Sequence, residues 1–127
     1  MKTRKALLYI GGIITALSAV LHLTFWAQNN WGEELTRLSP ESKGIILALW
    51  IGTVYILVFA AAISFYLGSK KEFGTLEKIV CGNIAGFFLV RIAVGVPLMG
   101  FSVQELIIEL LCAGVVFCYL FPLRTAA

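Results

Sequence analysis

Three charged side chains lie inside the last two apolar stretches of the chain. Arg91 lies in the stretch from 79 to 99, and Glu105 and Glu109 lie in the stretch from 103 to 121. A charged group inside a hydrocarbon layer is costly, so such groups face the protein interior and find partners there. These three residues are therefore the first candidates for chemistry.

The spacing of these residues predicts which of them meet. Arg91 and Glu109 are equidistant in sequence from Gly100, where the turn between the two stretches is centred. With a constant rise of about 1.5 Å per helical residue, the two charges reach one level in neighbouring antiparallel helices. We expect Arg91 to pair with Glu109, and Gly95 to stand opposite Glu105 and leave space beside that carboxylate.

Residues of the first two apolar stretches reach the same level. His22 is the only histidine, and Trp50 and Thr53 lie at a matching distance along the second stretch. We expect a polar cavity open to the outside, with Arg91 as the charge anchor for an anionic ligand. In it Glu109 tunes Arg91, and His22 forms hydrogen bonds or responds to pH. The complete predicted ligand-binding set is Arg91, Glu109, His22, Glu105, Trp50 and Thr53.

Each of these residues also has a structural explanation. Arg91 and Glu109 could be an ion pair that fixes helix register, a role that is itself a hypothesis for any buried pair. Glu105 follows Ser102 at the spacing of a capping box, which accounts for it without a function. His22 could be a hydrogen-bonded structural residue, and the tryptophans could be interface anchors.

Metal and haem chemistry fit these residues poorly. The Arg91 cation would oppose a metal ion beside the carboxylates, and a single histidine cannot supply two axial haem ligands within one chain. We therefore expect no cofactor and no metal site. Acid–base catalysis on a membrane-soluble substrate stays open, with Glu109 or His22 transferring protons, but no catalytic residue is assigned.

The composition places these residues in a membrane protein. The chain has 127 residues, of which 60% are hydrophobic and 13% charged, and its mean hydropathy is +0.94. Soluble domains average about 25% charged residues, and a helix needs about 20 apolar residues to cross a bilayer. We predict an all-α, integral membrane four-helix bundle, antiparallel and up-down, forming one transmembrane domain over 1–127. Its spans are about 6–27, 44–67, 77–99 and 103–121.

The first span is expected to be retained, since its apolar run is too long for a signal peptide and no cleavage site follows it. The outer loop, 28–43, is expected to hold a short interfacial helix with Trp31, Leu35 and Leu38 at helical spacing. Ser39 and Pro40 have the sequence of a helix start. Gly68 is expected to cap the end of span two, and Thr75 the start of span three.

Basic residues predict the orientation. Seven of them would lie on one side, against Arg37 and Lys43 on the other; the seven are Lys2, Arg4, Lys5, Lys70, Lys71, Lys78 and Arg124. The positive-inside rule then places both termini in the cytoplasm, in a bacterial inner membrane. Membrane lipids are the expected partners, and this basic collar accounts for the net charge of +3 without nucleic acid.

Small residues suggest how the helices pack. Gly82 and Gly86 have the spacing that permits close helix contact, and a homodimer is an expected assembly. Cys81, Cys112 and Cys118 form no CxxC pair and are expected to be buried apolar side chains.

A family resemblance rests on the first half of the chain. Its layout and the stretch LHLTFW…NNWGEELTRLSPESKG resemble small bacterial four-helix integral membrane proteins without a known activity. The resemblance covers the first two spans and implies no function. The chain lacks the early first-span glutamate of small multidrug exporters and the paired cysteines of quinone-linked thiol oxidases.

Four functions follow from the sequence. The first is a non-enzymatic membrane protein that binds a small or amphipathic, anionic ligand in the outward-facing cavity. The alternatives are a proton-coupled transporter or channel subunit in which Glu109 exchanges protons, a membrane enzyme acting on a lipid-soluble substrate, and a structural accessory subunit. Flux, turnover or assembly defects would separate them.

Overall fold

The computed structural model describes residues 2–125, apart from the side chain of Thr125. Five α-helices follow one another: α1 (Lys2–Gln28), α2 (Trp31–Glu34), α3 (Pro40–Ser69), α4 (Thr75–Met99) and α5 (Val103–Thr125), with a 3-10 turn, Leu35–Arg37, after α2. The described residues form no strand. The predicted all-α class is therefore confirmed.

Four helices, α1, α3, α4 and α5, are long and apolar enough to cross a membrane. Only 17–33% of their most apolar stretches is buried inside the molecule, so large side chains such as Leu49, Tyr55 and Val90 are exposed. A soluble domain rarely exposes such extended apolar faces. Lipid is the solvent that these faces fit, as expected of a membrane-spanning protein.

Helix ends follow local sequence signals, with two corrections. Ser39 accepts a hydrogen bond from the Ser42 amide and Pro40 opens α3, as predicted. Thr75, however, is the first residue of α4, and its predicted capping position is taken by Gly74.

The second correction concerns the end of α3. Gly68 is buried inside the helix rather than capping it, because the Tyr9 ring packs against its Cα. A true glycine terminator follows α4: Gly100 has φ +80° and ψ 171°, a backbone region that is essentially restricted to glycine.

Helix α1 occupies a central place in the packing. It packs against α3 and α5, and α5 in turn packs against α4. Glycines permit the close approach: a Cβ at Gly11 would lie 3.1 Å from Cys118 Cβ, and a Cβ at Gly12 would lie 3.1 Å from Ser64 Cβ. The small residues of the first helix thus set its contacts with both neighbours.

A buried hydroxyl cluster joins these three helices. The Tyr119 hydroxyl of α5 meets Ser64 Oγ of α3 and lies 3.4 Å from Thr15 Oγ1 of α1. All three side chains are inaccessible to solvent. Ser64 and Thr15 also contact carbonyl oxygens of their own helices. The cluster therefore satisfies its polar groups internally, as buried polar groups require.

Replacing Tyr119 with Phe should lower the free energy of unfolding by about 0.5–1.5 kcal/mol, the usual net contribution of a hydrogen bond. The ring would stay in place, and Ser64 and Thr15 would keep their intrahelical bonds. Thermal unfolding in one detergent measures the effect, with Tyr55→Phe as a control because Tyr55 is 71% exposed. Equal melting temperatures for both variants would contradict this role.

The loop between α3 and α4 is held against the start of α1. Arg4 Nη2 donates to the carbonyl oxygens of Lys70 and Lys71, at 3.4 and 3.0 Å, and its guanidinium lies over the Phe73 ring. Lys70 Nζ lies 2.5 Å from Glu77 Oε1, and this hydrogen bond raises the pKa of Lys70. The end of α3, the start of α4 and the start of α1 therefore meet at one end of the molecule.

Candidate functional site

Arg91 of α4 lies between two glutamates of α5. Its Nη2 donates to Glu105 Oε2 at 3.0 Å, and its Nη1 donates to Glu109 Oε1 at 3.2 Å. Nη1 also lies 2.7 Å from Glu105 Oε1. We call these three residues the Arg–Glu–Glu cluster. It places the predicted anchor, Arg91, between both predicted carboxylates.

Helix capping does not account for the carboxylate of Glu105. Ser102 Oγ accepts a hydrogen bond from the Glu105 amide at 3.0 Å, which is one half of a capping box. The carboxylate does not complete the box but turns to Arg91, with two contacts at 2.7 and 3.0 Å. Glu105, rather than Glu109, therefore makes the closer ion pair.

The cluster sits directly on Gly95. A Cβ at this position would collide with Arg91 Nη1, Glu105 Oε1 and Glu109 Oε1. The missing side chain thus provides the space that the sequence suggested beside Glu105, and the charged groups fill it. The same contacts show that the three atoms converge at one point beside the Gly95 Cα.

The electrostatics of the cluster are unbalanced. The exposed fraction of the side chain is 24% for Arg91, 5% for Glu105 and 13% for Glu109. One oxygen of each carboxyl group lies beside the Gly95 Cα, so the two acids are close neighbours. One guanidinium thus faces two acids in a largely desolvated place, where an uncompensated charge is costly.

One acceptor in the cluster lacks a donor. Although Glu105 Oε1 is close to Arg91 Nη1, the two are not aligned for a hydrogen bond, and Oε1 is buried with no hydrogen-bond partner. The positive charge of Arg91 attracts this oxygen, but without a hydrogen bond its lost hydration is compensated only in part. This atom marks where a further donor would be accommodated.

His22 lies on α1 and is partly buried. Its Nδ1 is 2.8 Å from the Ser18 carbonyl oxygen of the preceding turn, and its ring stacks on Phe25 with centroids 4.6 Å apart. The recorded partners of the His22 ring thus lie within α1, and no hydrogen bond or ion pair joins it to the Arg–Glu–Glu cluster.

Trp50 and Thr53 are engaged elsewhere. Trp50 Nε1 donates to the His22 carbonyl oxygen at 2.7 Å, and the Trp50 ring packs with Trp26 and Trp31 at centroid distances of 5.9–6.5 Å. Thr53 Oγ1 donates to the Leu49 carbonyl of its own helix. Trp50 thus joins α3 to α1 and the outer loop, whereas Thr53 bonds only within α3; neither side chain contacts the cluster.

Replacing Trp50 with Phe should lower the free energy of unfolding by about 1 kcal/mol, because the aromatic packing survives while the bond to the His22 carbonyl is lost. The matched control is Trp26→Phe, which alters the same aromatic group, since the structure records no hydrogen bond from the Trp26 indole. Thermal unfolding of both variants would decide, and a larger loss for Trp26→Phe would contradict the assignment.

A concave surface lies on α4, and none of its lining residues belongs to the cluster. It is a shallow groove lined by Ile79, Gly82, Asn83, Gly86, Phe87 and Val90. Added Cβ atoms at Gly82 and Gly86 would meet open space. The homodimer and the outward polar cavity both stay predictions.

Sequence reasoning missed the hydroxyl cluster of Thr15, Ser64 and Tyr119 and the indole bond of Trp50. The signal for the first was present, because three hydroxyl side chains inside apolar helices each need a partner. The signal for the second was the tryptophan N–H, which seeks an acceptor when it is buried.

No protein-family model, curated protein or solved structure matches the chain.

Proposed function

We propose that this chain is a proton-coupled membrane transporter or channel subunit whose proton site is the Arg–Glu–Glu cluster. The observation that supports this proposal is the charge balance of that cluster: one guanidinium faces one buried and one largely buried carboxyl group. With both carboxyls ionised, the site would hold a net negative charge away from water. Binding one proton makes the site neutral, which is the state that a low-dielectric surrounding favours.

The same geometry argues against an anionic ligand as the first choice. An anion would need the positive charge of Arg91, but that guanidinium already faces an excess of carboxylate within 3.2 Å. The ligand would have to displace Glu105 or Glu109 and leave it unpaired. A proton needs no such rearrangement and supplies a donor where Glu105 Oε1 lacks one.

The proposal includes a topology. We place the four long helices across a bacterial inner membrane as an antiparallel bundle with both termini in the cytoplasm. Support comes from the meeting of the start of α1 with the end of α3 and from the basic residues near that end, which favour the cytoplasmic side. The Arg–Glu–Glu cluster then lies nearer the opposite face.

Proton flux tests the function. The purified protein is reconstituted into liposomes that contain a pH-sensitive dye, and a proton gradient is imposed across their membrane. The decay of the gradient is followed with and without an imposed potential. We expect decay faster than in protein-free liposomes, and we expect Glu109→Gln to return it to that background. Glu41→Gln is the matched control, since Glu41 is exposed at the start of α3.

Two results would contradict the proposal. One is wild-type decay at the protein-free rate under every potential tested. The other is undiminished decay in Glu109→Gln, which would show that protons cross without this carboxyl. A protein that carries no protons but loses its assembly when the cluster is altered would instead fit the structural accessory subunit.

A further inference from the structure

The two glutamates of the cluster are not equivalent, and we infer that they divide its work: Glu105 is the fixed counterion of Arg91, and Glu109 carries the exchangeable proton. This inference rests on the proposed proton site, but it can be tested without any measurement of transport. It identifies Glu109 as the carboxyl group that would gain and lose the proton.

Glu105 has the geometry of a permanent counterion. It makes the two closest approaches to the guanidinium, at 2.7 and 3.0 Å, one to each terminal nitrogen. Its side chain is also the most buried of the three, with 5% of its area exposed. Charge-assisted contacts to both terminal nitrogens favour the ionised form of this carboxyl.

Glu109 has the geometry of the exchangeable group. It makes one contact to Arg91, at 3.2 Å, and its side chain is 13% exposed, more than twice the exposed fraction of Glu105. It is therefore held less tightly and is easier to reach by a proton donor or acceptor. Its Oε1 and the unpartnered Oε1 of Glu105 converge beside Gly95. A proton on Glu109 at this point supplies the donor that Glu105 Oε1 lacks.

The surrounding charges leave this assignment unchanged. Arg91 from α4 faces both carboxyls, and the thiol of Cys112, one turn after Glu109 on α5, is uncharged near neutral pH. A positive charge on the ring of His22, from α1, would repel the guanidinium.

Proton release from Glu109 is a balanced step. The O–H bond of Glu109 breaks, the proton passes to water or another acceptor, and the electron pair stays on the carboxylate. Arg91 Nη1, at 3.2 Å from Glu109 Oε1, is already placed to stabilise the new negative charge. The Arg91–Glu105 ion pair remains intact throughout, so proton release does not require the guanidinium to leave its place.

Infrared spectroscopy of the protein in lipid nanodiscs tests the assignment. All seven acidic residues of the chain are glutamates, so a single aspartate introduces a carboxylic acid with its own C=O frequency. At neutral pH we expect one buried carboxylic-acid band in the wild type. Glu109→Asp should replace this band with that of an aspartic acid, whereas Glu105→Asp should retain a glutamic-acid band, displaced only by its altered hydrogen bond. Glu41→Asp, at an exposed site, should leave it unchanged.

Chemical labelling of the unmodified wild type covers the case in which a variant fails to fold. Dicyclohexylcarbodiimide adds to protonated carboxyl groups in apolar surroundings and leaves a stable N-acylurea adduct. Peptide mapping by mass spectrometry should find the adduct on Glu109. An adduct confined to Glu105, an aspartic-acid band confined to Glu105→Asp, or no buried carboxylic-acid band at neutral pH would overturn the inference.

The proton site and the transport function can be refuted separately. A buried acid band that becomes that of an aspartic acid in Glu109→Asp, in a protein that conducts no protons, would support the inference and refute the transport function. Proton flux in a protein with no such band would support the transport function and refute the inference about Glu109.

Discussion

Replacing Gly95 with Ala is expected to damage the protein more than any other single-methyl change in the four long helices. The new Cβ would overlap Arg91 Nη1 and one oxygen of each glutamate, so at least one charged side chain must leave its partners. Overpacking a tight site costs about 1–3 kcal/mol, and separating a buried ion pair adds to this. Thermal unfolding in detergent, with the yield of monodisperse protein, measures the loss.

The chain offers matched controls on the same helix. Gly82→Ala and Gly86→Ala add the same methyl group to α4 where the Cβ would meet open space. These variants should be neutral or slightly stabilising, because alanine has the higher helix propensity. If Gly95→Ala melts like either control, the cluster does not sit on Gly95 as described. If all three are equally impaired, glycine matters along α4 for a reason unrelated to the cluster.

The helical architecture could be predicted from composition and run length, because a chain with four apolar stretches of bilayer length has few alternatives. The involvement of Arg91 with α5 was predictable for a related reason. A cation in an apolar helix needs a partner, and the nearest helix in sequence carries two carboxylates. The all-α class and the four long apolar helices follow from these arguments alone.

The sequence did not show which of the two glutamates makes the closer ion pair with Arg91. Equal spacing from Gly100 favoured Glu109, but arginine has a long side chain that reaches past one helical turn. In the structure Arg91 Nη2 lies 3.6 Å from Met99 Sδ, so the side chain runs along α4 toward the turn. This direction brings the guanidinium to Glu105 first. Residue counting locates Cα atoms, whereas the ion pair depends on where the charged ends meet.

The rotation of each helix about its own axis could not be predicted from the sequence either. Trp50 was placed at the level of the cluster by counting, yet its indole points to α1 and the outer loop. Thr15, Ser64 and Tyr119 meet because α1, α3 and α5 turn these faces toward one another. Such rotations are set by packing between helices, and an apolar helix with no polar face gives few clues to them.

Removing the charge of Arg91 should be more harmful than removing the whole cluster. In Arg91→Met, two buried carboxyl groups lose their only cation, and breaking a buried ion pair in this way costs about 3–5 kcal/mol. In the triple variant Arg91→Met, Glu105→Gln, Glu109→Gln, no charge remains, and the amides are close in size to the acids they replace. We expect the triple variant to recover most of the melting temperature lost by Arg91→Met.

The comparison separates a structural ion pair from a functional one. If the triple variant is as unstable as Arg91→Met, the charges themselves hold α4 against α5, and the cluster is explained by stability. If it folds well but conducts no protons, the fold does not need these three residues. Buried charges are costly to desolvate, so a cluster that the fold can do without must be retained for what it does. Recovery of stability together with loss of flux would therefore identify the proton as the reason for its presence.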